Sequence, residues 1–292
     1  MGAPTIIEVD GNGRRLVMVG RAGDALPTGV YASSVVGWYD SPDPKVQSTE
    51  RGQGSGAYPL EDQDVQYAAR TVSVGLSVVG VDRSEVRAAQ ETALALDGCV
   101  ATITVRDAER ETWARGYCSV TFDAGLGRLG TKGTLTVVCQ DPVRRSVIPS
   151  TGYMQPASGS GGGGLVFSAG SGSLTFPLSF GGDAQPAVNV CTVSNSGTWP
   201  SDVRIEVAGS MPQGFVISES GGSGQLSYPL GVTWQPLVLD GASRTATISG
   251  VDVTRSLTSR DFPRVPPGGS VTLVMSSTGT GTATVTCHDC YI

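Results

Sequence analysis

The sequence predicts a mainly β protein: an antiparallel β domain with one α-helix, followed by an all-β sandwich of jelly-roll type. Three observations predict it. The 292 residues include 41 glycines and 17 prolines, so turns are abundant and glycine stands at roughly twice its usual share. Short segments of alternating apolar and polar residues recur along the chain, the period of half-buried strands, and a single segment has a helical period. Residues 146–164, "SVIPSTGYMQPASGSGGGG", are rich in Ser, Gly and Pro and lack charge, the composition of a flexible linker. They separate a domain at 1–145 from one at 165–292.

In chain order, "TIIEV" and "RLVMV" flank the turn-prone run Asp10-Gly11-Asn12-Gly13 and predict a β-hairpin. "RTVSVGLSV" puts Val72, Val74, Leu76 and Val78 on one face of a strand. "RSEVRAAQETALALDG" changes period: Val86, Ala89, Ala93 and Leu96 form a helical stripe, with Ser84 placed to cap its start and Gly98 its end. "ATITV", "WARGYCSVTF" and "TLTVVC" supply three more strands. Before the strand region near Tyr67 runs an irregular stretch of about 25 residues, a length that compact domains keep for binding or for an arm. The second domain offers "LTFPL", "AVNVCTV", "VRIEV", "FVIS", "PLVLD", "RTATI", "SVTLVMS" and "TATVTC", separated by turns such as Asp240-Gly241 and Pro267-Gly268-Gly269. Short strands at this spacing predict a sandwich or jelly roll.

Composition narrows function. Charged residues make up 16% of the chain, below the roughly 25% typical of globular proteins, as expected if partners cover surface in a repetitive assembly. Net charge is −6 and the only lysines are Lys45 and Lys132, which disfavours a phosphate-neutralising grip on nucleic acid. DNA passing an acidic wall without adhering is compatible with this balance. The start "MGAPTIIEVD" lacks the basic and apolar regions of a secretory signal, and no apolar run is long enough to span a membrane. Cys99, Cys118, Cys139, Cys191, Cys287 and Cys290 are widely spaced. They read as small buried hydrophobes of a protein made in a reducing cytoplasm, not as a disulfide scaffold.

Chemistry-bearing patterns are few. Gly52, Gly54 and Gly56 in "RGQGSGAYP" resemble a phosphate loop but lack its spacing, precede a strand, and adjoin Glu61, Asp62 and Asp64. Their expected role is to let backbone turn tightly or pass close to another chain. "CHDC", with Cys287 and Cys290, is one cluster where zinc commonly takes two. His288 is the sole histidine, so nucleophile–imidazole catalysis has no other imidazole to use. Asp202, Glu206, Glu219 and Asp240 show no spacing of a paired-carboxylate site. No enzyme, cofactor or metal is expected. Trp199, Tyr228 and Trp234 form a candidate glycan platform on the sandwich, set against ordinary core packing.

Taken in order, several motifs resemble one family. "RGQGSGAYP" precedes "YAARTVSVGLSVVG", with an Arg entering the strand. The helix "SEVRAAQETALALDG", the strand "RETWARGYCSVTF" and the exit "TLTVVCQDPVRRS" follow, then the linker and a sandwich running from "NSGTWPSDVRIEVAG" to "VPPGGSVTLVM". The chain resembles siphophage distal tail proteins, minor tail proteins of long-tailed phages, here of an actinobacterial host. The resemblance implies a tail-tube-like N-terminal ring-forming domain and a galectin-like C-terminal sandwich on the outside of a hexameric ring. It also implies a baseplate hub in the virion that joins the tail tube protein to the tail tip protein, beside the tape measure protein, with DNA passing through. Within that frame, Arg51, Gly52, Gly54, Gly56 and Tyr58 are expected in an inter-subunit arm, and Glu61, Asp62 and Asp64 near the lumen. A host-surface glycan is the alternative partner, through the Trp199, Tyr228 and Trp234 platform.

Overall fold

The computed structural model describes residues 4–21, 27–59, 65–108, 110–123, 129–156, 188–222 and 224–292. Glu61, Asp62 and Asp64, the later part of the expected linker and the candidate strand "LTFPL" lie outside them. The chain divides into two compact units, Met1–Ile148 with Cys290–Ile292, and Pro149–Asp289.

The first unit contains β1 (Ile6–Gly11), β2 (Arg14–Gly20), β3 (Gly29–Val36), β4 (Pro44–Lys45), β5 (Gln66–Tyr67), β6 (Arg70–Val79), α1 (Arg83–Leu94), β7 (Val100–Arg106), β8 (Glu111–Phe122), β9 (Gly130–Cys139) and β10 (Arg144–Ser146). The expected hairpin forms, with β1 and β2 antiparallel from Ile6↔Val19 to Gly11↔Arg14. Strand β8 pairs with β7 along one edge and with β9 at Tyr117–Phe122 along the other. That double pairing closes β8-β7-β1-β2-β3-β6-β9 into a barrel, in which each of these strands has a neighbour on both sides. One pairing departs from the antiparallel expectation: β2 and β3 run parallel at Val19↔Tyr31 and Gly20↔Ala32.

The barrel core follows from the alternation read in the sequence. Val72, Val74, Leu76 and Val78 of β6 are buried, as are Ile7 and Val9 of β1, Ile103 of β7 and Leu135 and Val137 of β9. Each such side chain contributes about 1.5–3 kcal/mol by leaving water. Helix α1 adds Ala93, and the turn after it Leu96, to the same core. Its N-cap is Asp82, not Ser84: the Asp82 carboxylate accepts from Glu85 N at 2.9 Å and from the Ser84 hydroxyl at 2.6 Å. A carboxylate one residue before the helix is a stronger acceptor for the exposed N–H groups than a hydroxyl inside it.

The second unit contains β11 (Ser150–Met154), β12 (Val190–Asn195), β13 (Ser201–Ala208), β14 (Phe215–Glu219), β15 (Gln225–Tyr228), β16 (Leu237–Asp240), β17 (Thr245–Ile248), β18 (Val251–Asp252), β19 (Ser259–Arg260), β20 (Arg264–Val265), β21 (Gly269–Ser277) and β22 (Thr282–Cys287). One sheet has the order β11-β22-β13-β16-β17-β18, with β20 also on β13; the other has β12-β21-β14-β15-β19. Their inner faces share one apolar core, including Ile205, Leu239 and Val285 from the first sheet and Val193, Ile217 and Leu273 from the second. This is the expected sandwich.

Strand β11 lies within the segment expected to be linker and pairs with β22 from Ser150↔Cys287 to Met154↔Ala283. Its small residues have a packing reason: a Cβ at Gly152 would stand 2.9 Å from the Cys191 Cβ. After β22, the final strand β23 (Cys290–Tyr291) pairs with β10 of the first unit's sheet. The sandwich unit therefore ends at Asp289 instead of continuing to 292.

Candidate functional site

Three features of the first unit stand apart from its apolar core: a hairpin, the buried arginine at its base, and a polar cavity. The hairpin occupies the stretch between β3 and β6. Strands β4 and β5 pair at Pro44↔Tyr67 and Lys45↔Gln66, and Ala68 N donates to Asp43 O at 2.8 Å. Farther out, Glu50 bridges Ala57, Arg51 N donates to Gly56 O and Tyr58 N to Thr49 O, both at 3.0 Å. The irregular stretch is thus a ribbon with its own backbone ladder. Gly54 and Gly56 have φ of +98° and +86°, the left-handed region that favours glycine at a turn. No atom of the described residues lies near a Cβ built on Gly52, Gly54 or Gly56. Arg51 and these glycines are exposed, and Tyr58 and Val46 expose apolar surface.

Arg70, the first residue of β6, is 1% exposed. Its Nη1 donates to Gly37 O at 2.7 Å, Trp38 O at 3.2 Å and Asp40 O at 2.7 Å, and its Nε donates to Pro142 O at 2.8 Å. One guanidinium thus ties the start of the hairpin stretch to the exit from β9. Gly37 has φ +81°, and a Cβ there would stand 2.0 Å from Thr71 O; only glycine fits this crossing. Trp38 is buried beside it. Burial, then repulsion from Arg144, pulls the Arg70 pKa down to about 10.

Next to this anchor is a cavity of about 340 Å³ lined by Trp38, Tyr39, Asp107, Arg110, Arg144 and Tyr291, with Thr112. Arg144 lies over the Trp38 ring at 5.6 Å and Arg110 over the Tyr291 ring at 5.1 Å, distances at which ring quadrupoles attract cations. Tyr39 OH donates to Asp107 Oδ2 at 3.1 Å; burial, then this bond, raises the Tyr39 pKa. Burial lowers that of Arg144. Among the described residues, the Arg144 Nε is sequestered without a hydrogen-bond partner, as is the Arg70 Nη2. Sequence reading missed Trp38, Arg110, Arg144 and Tyr291, which come from four separated chain segments.

The remaining candidates do not converge. Tyr228 is 3% exposed, its ring stacked on Phe215 with centroids 6.0 Å apart. Trp234 is 85% exposed. Trp199 precedes β13, whereas Trp234 precedes β16, whose Leu237 opposes Val207 near the other end of β13. Eight strand residues span about 25 Å, so the two tryptophans do not make one platform. Asp202 is paired with Arg264 at 2.8 Å, and Asp240 accepts from Ala242 N in a turn. Cys287 ends a sandwich strand while Cys290 belongs to the first unit. Among the described residues no group of three or more His, Cys, Asp or Glu side chains is placed to hold a metal.

No protein-family model matches the chain, and no curated protein is significantly similar to it. Solved structures are similar. The phage p2 baseplate in its activated conformation with Sr aligns with TM-score 0.48 and 10% identity over 97% of both chains. The phage P2 baseplate in its activated conformation with Ca aligns with TM-score 0.46 and 10% identity over 98% of both. The SPP1 Dit protein, described as a paradigm of the hub adsorption apparatus in phages that infect Gram-positive bacteria, aligns with TM-score 0.63 and 15% identity, covering 98% of this chain and 99% of that one. Across essentially its whole length, barrel and sandwich together, the chain has the fold of the SPP1 Dit protein.

Proposed function

We propose that the chain is a structural virion protein, a distal tail ring that joins the tail tube to the tail tip or baseplate and lets DNA pass. The observation that carries this reading is the whole-length match to SPP1 Dit, a hub protein of an adsorption apparatus. Both units align in one chain, which a shared sandwich alone would not produce. In this reading the barrel unit forms a hexamer, a closed ring of head-to-tail contacts, with tube, tip and tape measure proteins as its neighbours. The hairpin is the arm that reaches an adjacent subunit: its exposed Val46 and Tyr58 offer apolar surface, and Arg70 fixes its base. The reading also assigns a role to the charge of Glu61, Asp62 and Asp64, which lie outside the described residues: near the lumen, like charge would keep DNA from adhering.

The test is electron microscopy of the purified protein beside a variant lacking residues 50–60. The wild type is expected to form rings with a central opening, and the deletion to lose them while the sandwich stays folded. Rings that persist unchanged in the deletion would refute the arm assignment. Particles without closed symmetry, alone and mixed with tail proteins, would refute the ring. A glycan contact through the sandwich would rest on Trp234 as the exposed aromatic of the three, and loss of cell-wall polysaccharide binding in W234A would support it.

A further inference from the structure

We propose that the cavity between Trp38, Arg110, Arg144 and Tyr291 is a carboxylate-binding site. Its charge is the first reason. Neither Arg110 nor Arg144 forms an ion pair among the described residues, whereas Arg106, Arg145 and Arg264 each have one. Arg110 and Arg144 repel each other, and Arg144 and Arg70 do likewise. Arg144 is desolvated and Arg110 is exposed, and Asp107 is the one carboxylate in the lining, so the wall keeps an excess of positive charge. An arriving anion neutralises that excess.

The second reason is the shape of the receptor. Both guanidiniums stand over aromatic rings, Arg144 over Trp38 and Arg110 over Tyr291. A guanidinium can offer its planar edge to a planar oxyanion through parallel N–H bonds. Asp107 decides between anions. Its carboxylate, accepting from Tyr39, leaves the wall with two positive charges and one negative, a net charge that a single carboxylate neutralises and that the second charge of a phosphate dianion exceeds. The volume of about 340 Å³ is at the small end of ligand pockets. It admits a carboxylate on a short stem, as in a Glu or Asp side chain of another protein segment or a small organic acid.

The site lies within one chain and does not depend on the ring. It can be tested by calorimetry on the purified protein with N-acetyl-glutamate N-methylamide, butyrate, the corresponding glutamine amide and inorganic phosphate. The carboxylates are expected to bind and the glutamine amide not. R110Q and R144Q are each expected to weaken binding about tenfold or more, since one charge-assisted hydrogen bond is worth about 1.5–3 kcal/mol. Tighter binding of the blocked glutamate indicates a protein-borne acid, and tighter binding of butyrate a small free acid. If a second copy already fills the site, the probes stay out but R110Q lowers the native mass. The assignment fails if the glutamine amide or phosphate binds as well as the carboxylates, or if R110Q, which leaves the Trp38 contact intact, binds like the wild type. It also fails if no probe binds and R110Q leaves the native mass unchanged.

Discussion

Each unit buries a polar side chain that captures several backbone carbonyls, and the two do it differently. In the barrel unit Arg70 holds Gly37, Trp38, Asp40 and Pro142. In the sandwich Asn195, also 1% exposed, donates to Trp199 O at 2.7 Å, Val265 O at 3.3 Å and Pro266 O at 3.4 Å, and accepts from Gly197 N at 2.9 Å. Asn195 is neutral and uses both ends of its amide. Arg70 brings a charge into the interior, leaves one nitrogen unpartnered and sits near a second desolvated arginine. A neutral clamp suffices to close a loop. The charged clamp is stronger but costlier, and it stands where the exposed hairpin joins the barrel, so the barrel unit carries its strain beside the features proposed for assembly.

Substitutions can break that contrast. R70M should act most strongly, because it strands several buried carbonyls together: about 3–4 kcal/mol of barrel-unit stability is lost, seen in urea unfolding as an early transition of that unit while the sandwich transition stays in place. N195A should do the converse at about 2–3 kcal/mol, moving the sandwich transition alone. G37A should cost the barrel unit about 2 kcal/mol through backbone strain. An equal response of both units to any of these would show that they do not unfold separately.

Burial of thiols gives a finer comparison. Burial pushes Cys118 up to about 12, Cys139 up to about 11, and Cys191 in the sandwich up to about 11. A pKa raised on folding lends stability that is complete below the unfolded thiol value, near 8.5, and is lost as pH rises through the folded one. Cys118 and Cys139 in the barrel unit and Cys191 in the sandwich should therefore each make their own unit lose stability above pH 9 in thermal scans. The smallest effect is expected for W234A, an exposed position, where melting should be unchanged within about 0.5 kcal/mol.

The long alternating strands β1, β6, β7, β9, β13, β21 and β22 were legible in the sequence because each buries one face. What escaped was short or non-local. Strand β3 carries a bulge between Ala32 and Ser34, which breaks its alternation, and β10 and β23 are three and two residues long. The sequence places Arg70 at the entry to its strand, but its partners lie 30 to 72 residues away, beyond any periodicity. The cavity draws on residues from 38 to 291, and a stacked arginine has no local signature. Ser150–Met154 resembled a linker because close packing on Cys191 and a linker both favour small residues.

The ring is the central claim, and native mass across a concentration series, by light scattering after size exclusion, tests it most directly. The account predicts a closed species near six chains of 30.0 kDa each, stable to dilution. A monomer at every concentration, unchanged when tube and tip proteins are added, would contradict it.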